Sequence, residues 1–272
     1  MRVLKNVPFY RWYAFILPSL DAVTFLGWGI LLLGYWLSGE IRLLIHPNYV
    51  WLVILTGFIL LFAGIAKSIE LYKERNKIYF NNRKKVVQHI TLLPSGWSTG
   101  FLLITLLLAT FIPPKVLDSD VALQRGIRET LPLTQTQPEP FRVNVQPEDR
   151  SLIDWVKTLN SYPEPEAYRG DAVDVKGFVI KMNELDDNYF LLAKFIITCC
   201  ALDDYPIAIP VKIDGNNEAY KEDSWLEIQG EMTTEMLPLE GMQYKEGTLN
   251  RQLVIKAESI TEIPTPDNPY GY

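Results

Sequence analysis

Three long apolar stretches in the first 112 residues constrain the fold more than any other feature of the sequence. Residues 20–37 contain Asp21 as their one charged residue, and residues 49–66 and 90–112 contain no Asp, Glu, Lys or Arg. At about 1.5 Å of rise per helical residue, each stretch can cross a hydrocarbon core of roughly 30 Å. The first is too long for a secretory signal and lacks a small-residue cleavage site. We predict three transmembrane helices, at about residues 16–38, 49–67 and 91–112.

The basic residues predict how these helices are oriented. Ten of them lie in the N-terminal tail and in the loop after the second helix, at Arg2, Lys5, Arg11, Lys67, Lys73, Arg75, Lys77, Arg83, Lys84 and Lys85. The other side has Arg42, Lys115, Arg125 and Arg128. The positive-inside rule therefore places the N terminus in the cytoplasm, and three crossings place the C-terminal part outside it.

The charge balance divides the chain into two parts. Residues 1–140 contain 14 Lys+Arg and 8 Asp+Glu, whereas residues 141–272 contain 12 and 24. Such an acidic second part would repel phosphates, so we expect no nucleic-acid partner. Between the parts, residues 113–147 contain six prolines and predict a connector, mostly extended, with a short helix at about Val121–Thr130. We expect a membrane domain at 1–112, this Pro-rich connector, and a second domain at 148–272.

The second domain has a β pattern. A short amphipathic helix at about Asp149–Leu159 leads it, with Leu152, Trp155, Val156 and Leu159 on one face. Strands are predicted at Val173–Lys181, Tyr189–Cys200, Ile207–Ile213, Trp225–Met232 and Leu253–Ile263. Five regularly spaced strands favour a small barrel of the OB type. The predicted fold class is an α+β membrane protein with three N-terminal transmembrane helices and an all-β, OB-like barrel.

Cys199 and Cys200 are the two cysteines of the chain, and they stand between an apolar run and the acidic pair Asp203-Asp204. Neighbours on a strand point to opposite faces, so one sulfur could simply be buried as a small apolar group. A disulfide between adjacent cysteines is a second alternative, and it needs a distorted peptide. The third is redox chemistry or binding of a soft metal by Cys199, Cys200 and Asp203. Zinc usually takes four ligands, so a zinc site would need another acid, water or a partner subunit.

Two polar positions fall in or near the membrane segments. Asp21 lies two residues inside the first apolar stretch, where a carboxylate is costly unless it is paired or reaches the interface. Contact with a polar surface on another membrane protein would account for it. His46 lies across the membrane before Pro47 and is typical of an interfacial residue. Sequence signatures of phosphate-binding loops, hydrolases, metalloproteases and dinucleotide enzymes are missing, so we expect no enzyme.

One motif resembles a known family. Thr198-Cys199-Cys200-x-x-Asp203, preceded by Phe190-x-x-x-Lys194-Phe195 and followed by Pro206, resembles the signature of the YcgQ-type permease subunits. Further positions look like that family at Asp21, Tyr35-Trp36-Leu37, His46-Pro47, Trp155 and Gly177-Phe178-Val179. The resemblance implies a multi-pass protein of the bacterial cell (inner) membrane. It also implies a partner, a larger ArsP-like multispanning permease, besides the lipid bilayer.

Three functional hypotheses follow, the last of which is a purely structural anchor whose barrel binds another protein. The first is an accessory subunit of a two-component permease, whose extracytoplasmic β domain gates, captures or senses a substrate, with a metal or metalloid ion as the candidate. The second is a membrane-tethered thiol-redox or metal-sensing protein that acts through Cys199 and Cys200. No cofactor is identified, although the ligand types allow a divalent metal such as zinc.

Overall fold

A computed structural model describes residues 8–77, 97–127, 146–240, 243–244 and 250–271. The chain forms two compact units, Met1–Pro114 and Lys115–Tyr272. The first is helical and the second is built on a five-stranded sheet, which confirms an α+β architecture with its helices at the N-terminal end.

The helical unit contains α1 (Pro8–Ser38), α2 (Val50–Lys77) and α3 (Trp97–Phe111). Among the described residues, two segments are long and apolar enough to cross a membrane, Pro18–Ser38 and Pro47–Lys73, and they coincide with the first two predicted spans. The 15 residues of α3 extend for about 22 Å, less than a hydrocarbon core. The start of the third predicted span, at residues 91–96, lies outside the described residues, so a third crossing stays a prediction.

The helices of this unit approach each other closely. A Cβ atom on Gly29 of α1 would lie 2.8 Å from the Leu61 side chain and 3.0 Å from the Gly57 carbonyl oxygen of α2. Small residues of this kind let the backbones of apolar helices approach closely, and the resulting van der Waals packing is one of the forces that associate helices in lipid. The Trp28 Nε1 atom of α1 also donates to the Leu102 carbonyl of α3 at 3.1 Å.

The described part of the β unit contains five principal strands. They are β1 (Ala172–Ile180), β2 (Tyr189–Ile196), β3 (Tyr205–Lys212), β4 (Trp225–Leu237) and β7 (Asn250–Ile263), with a two-stranded ribbon of β5 (Leu239–Glu240) and β6 (Gln243–Tyr244). The strand order is β1-β2-β3-β7-β4, and β4 pairs with β1, which closes the sheet. All neighbouring pairs are antiparallel except β3 and β7. The five predicted strands are therefore present.

The extent of pairing differs around the ring. Strand β4 pairs with β7 along its whole length, and β2 pairs with β3 over eight residues. In contrast, β3 meets β7 at Val211–Ile255 and Lys212–Lys256, and β1 meets β2 from Phe178 to Ile180. Close approach of β1 and β2 requires Gly177, because a Cβ atom there would lie 2.6 Å from the Ala193 carbonyl oxygen.

Two short helices flank the barrel. Helix α5 (Leu152–Ser161) is the predicted leading helix, and Ser151 caps its N terminus reciprocally with Asp154. It buries Leu152, Trp155 and Val156 against the barrel core. Helix α4 (Ser119–Arg125) begins within the predicted connector, and its residues belong to the β unit. Residues 128–145 of the predicted connector lie outside the described residues.

Candidate functional site

The cysteines lie in a loop at residues 197–204, which joins β2 to β3. The sequence predicted a strand that continues to Cys200, and this is wrong, since β2 ends at Ile196. The Asp203 carboxylate explains the early end. It accepts hydrogen bonds from the backbone N–H of Cys199 at 3.0 Å and of Cys200 at 3.0 Å. A side chain that takes these donors locally removes them from strand pairing.

This loop holds both sulfurs on the same side of the backbone. The Sγ atoms of Cys199 and Cys200 are 3.7 Å apart, and both cysteines are free thiols. Cys199 is exposed and Cys200 is half-buried, so the interpretation of one sulfur as a buried apolar group is wrong. The expected alternation of faces fails because the pair lies outside the strand. One ligand atom each from Cys199, Cys200 and Asp203 fall within 4.8 Å of one another.

The three groups also couple electrostatically. A hydrogen bond to Asp203, followed by one to Cys200, raises the pKa of the Cys199 thiol to about 12. Burial acts to raise the pKa of the Asp203 carboxyl, but hydrogen bonds from the Cys199 thiol and the loop's backbone N–H groups outweigh it and lower that pKa. The site therefore combines a protonated Cys199 thiol with an ionised carboxylate near neutral pH.

Arg125 of α4 contacts the same loop from outside it. Its guanidinium donates to the Asp204 carbonyl at 3.1 Å and to the Ala201 carbonyl at 3.4 Å. It also forms an ion pair with the Asp204 carboxylate, whose side chain is fully buried. Arg125 thus contacts residues on both sides of Asp203 and neutralises the one buried carboxylate of the loop.

Asp21 has partners within the chain. Its carboxylate accepts a hydrogen bond from Lys67 Nζ at 2.9 Å and another from the Thr99 hydroxyl. These residues belong to α1, α2 and α3, so the contact joins all three helices. It accounts for a carboxylate in an apolar helix without a second protein. The Asp21 and Lys67 side chains keep about a third of their surface exposed.

His46 serves the local backbone. Its Nδ1 atom accepts a hydrogen bond from the Asn48 N–H at 3.1 Å, at the start of a short 3-10 helix over Pro47–Tyr49. Its ring lies 5.9 Å from that of Tyr49. It belongs to the helical unit. The described geometry is that of a loop and aromatic contact.

Sequence reasoning missed Arg125, Lys67 and Thr99. Lys67 carried a usable signal, because it is the first charge after the second apolar stretch, and antiparallel helices bring that end back to Asp21. The Arg125 contact spans 79 residues of sequence. No local pattern marks it.

Comparisons with known proteins agree with this two-part architecture. A family model described as the DUF1980 C-terminal domain matches residues 134–272, and one described as the DUF1980 N-terminal domain matches residues 20–128. The UPF0703 protein YcgQ of Bacillus subtilis (strain 168) is 24% identical over 124 residues, which are 46% of this chain. That region spans 40% of the relative's length. The chain therefore belongs to the DUF1980 family, in agreement with the YcgQ-type resemblance of its Thr-Cys-Cys motif.

Proposed function

We propose that this protein is a non-catalytic accessory subunit of a two-component membrane permease and that its β domain captures a thiophilic cation or metalloid. The residues that would hold the ion are Cys199, Cys200 and Asp203. The β domain would be an OB-like barrel on the extracytoplasmic side of a bacterial inner membrane. Three transmembrane helices and a cytoplasmic N terminus complete the proposed topology.

One observation carries the capture function: two thiol sulfurs and a carboxylate oxygen lie within 4.8 Å of one another in a loop where Cys199 is exposed. Thiolates select soft or borderline ions, and a carboxylate adds a hard donor that zinc and cadmium also accept. Three protein donors leave room for water or a donor from another subunit. Such an incomplete set favours a site that takes up and releases its ion over a permanent structural site.

The membrane partner is proposed from the family resemblance and from the helices. Three spanning helices would form a transport pathway only by oligomerising or by joining other subunits, and the second route would require a larger subunit such as an ArsP-like permease. Large apolar side chains of α2 are exposed, including Trp51, Phe58 and Phe62. Lipid or a partner helix would cover them.

The alternative is a membrane-tethered thiol-redox or metal-sensing protein, and the loop's electrostatics disfavour its thiol-redox form. A nucleophilic cysteine needs a thiolate near neutral pH, which basic neighbours or a helix N terminus normally provide. Here hydrogen bonds to Asp203 and then to Cys200 raise the pKa of Cys199 to about 12, which is the opposite effect. A bound cation would offset that same charge. The site is thus better suited to ion binding than to thiol attack.

Ion content tests the proposal directly. The full chain, purified in mild detergent under reducing conditions, is equilibrated with Cd²⁺ or Zn²⁺ and its ion content is measured after gel filtration. We expect about one ion per chain for the wild type and none for Cys199→Ser/Cys200→Ser. Glu184→Gln is the matched control, because this exposed acid lies beyond the opposite end of β2. Equal ion content in wild type and double variant would refute the capture function.

The partner is tested separately by affinity purification from membranes. A multispanning permease that co-purifies in a fixed ratio would support the accessory role. A chain that purifies alone, and that binds its ion normally, would refute the subunit role and leave ion capture intact.

A further inference from the structure

We infer that Arg125 is the positioning residue of the cysteine loop: it fixes the turn around Asp203 so that the carboxylate faces the two thiols. This inference deepens the proposed function and rests on it, since it names what sets the affinity of that same site. Arg125 would touch no ion itself. It would act through the loop backbone.

The contacts of Arg125 flank the ligand residue. Its two terminal nitrogens donate to the carbonyls of Ala201 and Asp204, two residues before Asp203 and one residue after it. A planar guanidinium can hold two acceptors at a fixed separation, which an ammonium group cannot do. The turn between those two carbonyls is therefore held in one shape.

The buried Asp204 carboxylate further constrains the position of Arg125. Its side chain is fully buried, and the Arg125 guanidinium is its ion-pair partner. A buried carboxylate without a cation would be costly, so the loop conformation and the position of α4 stabilise each other. The same pairing neutralises Arg125, so its positive charge does not oppose a cation at the thiols.

Helix α4 is itself anchored to the barrel. The Ser119 N–H donates to the Asp223 carboxylate at 2.6 Å, and the Leu117 N–H donates to the Tyr270 hydroxyl at 3.1 Å. Asp223 adopts a left-handed backbone conformation with φ of 64°, which is uncommon for a residue other than glycine. These contacts hold helix α4 against the barrel, so Arg125 extends from a helix whose position is fixed relative to the cysteine loop.

The test compares Cd²⁺ binding by full-length variants in detergent, followed through thiolate-to-metal absorption with a competing chelator. We expect Arg125→Met to weaken the affinity by roughly 10- to 100-fold, the range for residues that support metal ligands. The stoichiometry should stay at about one ion. Arg125→Lys should recover part of the affinity, because it restores the charge but not the two-pronged contact. Arg169→Met is the control, since Arg169 contacts Glu166 and Thr234 outside the loop.

Arg125→Met leaves the buried Asp204 carboxylate unpaired and could prevent folding. A second variant that also removes this carboxylate provides the test in that case. In Arg125→Met/Asp204→Asn both charges are removed, and the affinity should still fall because both carbonyl contacts are lost. Wild-type affinity in either folded variant would overturn the inference. If the wild type itself binds no Cd²⁺, the capture function fails. The positioning role is then decided by thiol alkylation of ion-free protein, where faster reaction in both Arg125→Met variants supports it and an unchanged rate overturns it.

Discussion

Each unit of the molecule contains a carboxylate that is bound by neighbouring groups, and the two carboxylates differ in whether a cation is among their partners. In the helical unit, Asp21 is paired with the Lys67 ammonium and the Thr99 hydroxyl. In the β unit, Asp203 is held by backbone N–H groups and by the Cys199 thiol. Within the described part of the chain, no Lys or Arg forms an ion pair with Asp203.

The difference separates a structural carboxylate from a candidate ligand. A neutralised pair such as Asp21–Lys67 contributes to helix association and has little left to offer a ligand. A carboxylate held by neutral donors keeps its full negative charge, here beside two free thiols. We therefore assign stability to the first and ion binding to the second, and the following four experiments test this division.

The largest effect is expected in the pH dependence of Cd²⁺ binding. The pKa of Cys199 is raised to about 12, so its thiol is protonated at pH 6–8 and must lose its proton to bind the ion. The pKa of Asp203 is lowered, so this carboxylate is already ionised there and adds no pH dependence. Affinity should therefore rise with pH, up to about 100-fold per unit when both thiols release protons. A chelator-competition titration that finds constant affinity over pH 6–8 would contradict this assignment.

The second experiment removes the charge of Asp203. Asp203→Asn keeps a hydrogen-bond acceptor but should lower the pKa of Cys199 towards its ordinary value. We expect alkylation at pH 8 to accelerate by about tenfold or more, because each unit of pKa changes the thiolate fraction tenfold. The rate is followed by mass spectrometry at the Cys199 peptide. Glu184→Gln should leave it unchanged, and an equally slow Asp203→Asn would show that the carboxylate does not control the thiol.

The third experiment removes the cation from Asp21. Lys67→Met should lower the free energy of unfolding of the helical unit by about 2 kcal/mol, below the cost for a fully buried pair because both side chains are about a third exposed. Unfolding is measured by denaturant titration in detergent micelles. Lys73→Met, at an exposed position near the end of α2, is the control.

A second variant refines this comparison. Adding Asp21→Asn to Lys67→Met should recover much of the lost stability, since no unpaired charge remains. Cd²⁺ binding should be unchanged in both variants. A loss of binding there would break the division between the two carboxylates.

The smallest effect on the free energy of unfolding is expected when the Thr99 hydroxyl is removed. Thr99→Val keeps the side-chain shape and removes the hydrogen bond to Asp21, at a cost of about 1 kcal/mol or less, as for single polar contacts between membrane helices. Thr110→Val is the matched control, because the Thr110 hydroxyl bonds to the Leu106 carbonyl of its own helix. If both variants unfold alike, the Thr99 contact contributes nothing of its own.

The sequence was sufficient to predict which helices and strands form. It was insufficient to predict where they end and which distant residues they contact. Five strands and the leading helix follow from apolar periodicity, and the first two apolar helices follow from length and hydropathy. The end of β2 was misplaced because Thr198 and the cysteines are compatible with a strand, whereas Asp203 takes their N–H groups. Local propensity cannot anticipate that competition.

The sequence predicted the candidate ligands of the site but not the residue that positions them. Cys199, Cys200 and Asp203 could be grouped because they are close in sequence. Arg125 could not, since its contact depends on how α4 packs on the closed barrel. Lys67 was interpreted as a topology signal, although it also pairs with Asp21.

The uneven pairing around the barrel has a mechanical consequence. The hairpin of β2 and β3 is held internally by eight residue pairs, but it joins its neighbours through three pairs to β1, two to β7 and a bridge from Ile196 to Gly271. Local opening follows the path that breaks the fewest contacts. Local unfolding of this sheet should therefore separate the hairpin from β1 and β7 as one unit, and the contacts of its cysteine loop with Arg125 and Gly271 are what restrain that motion.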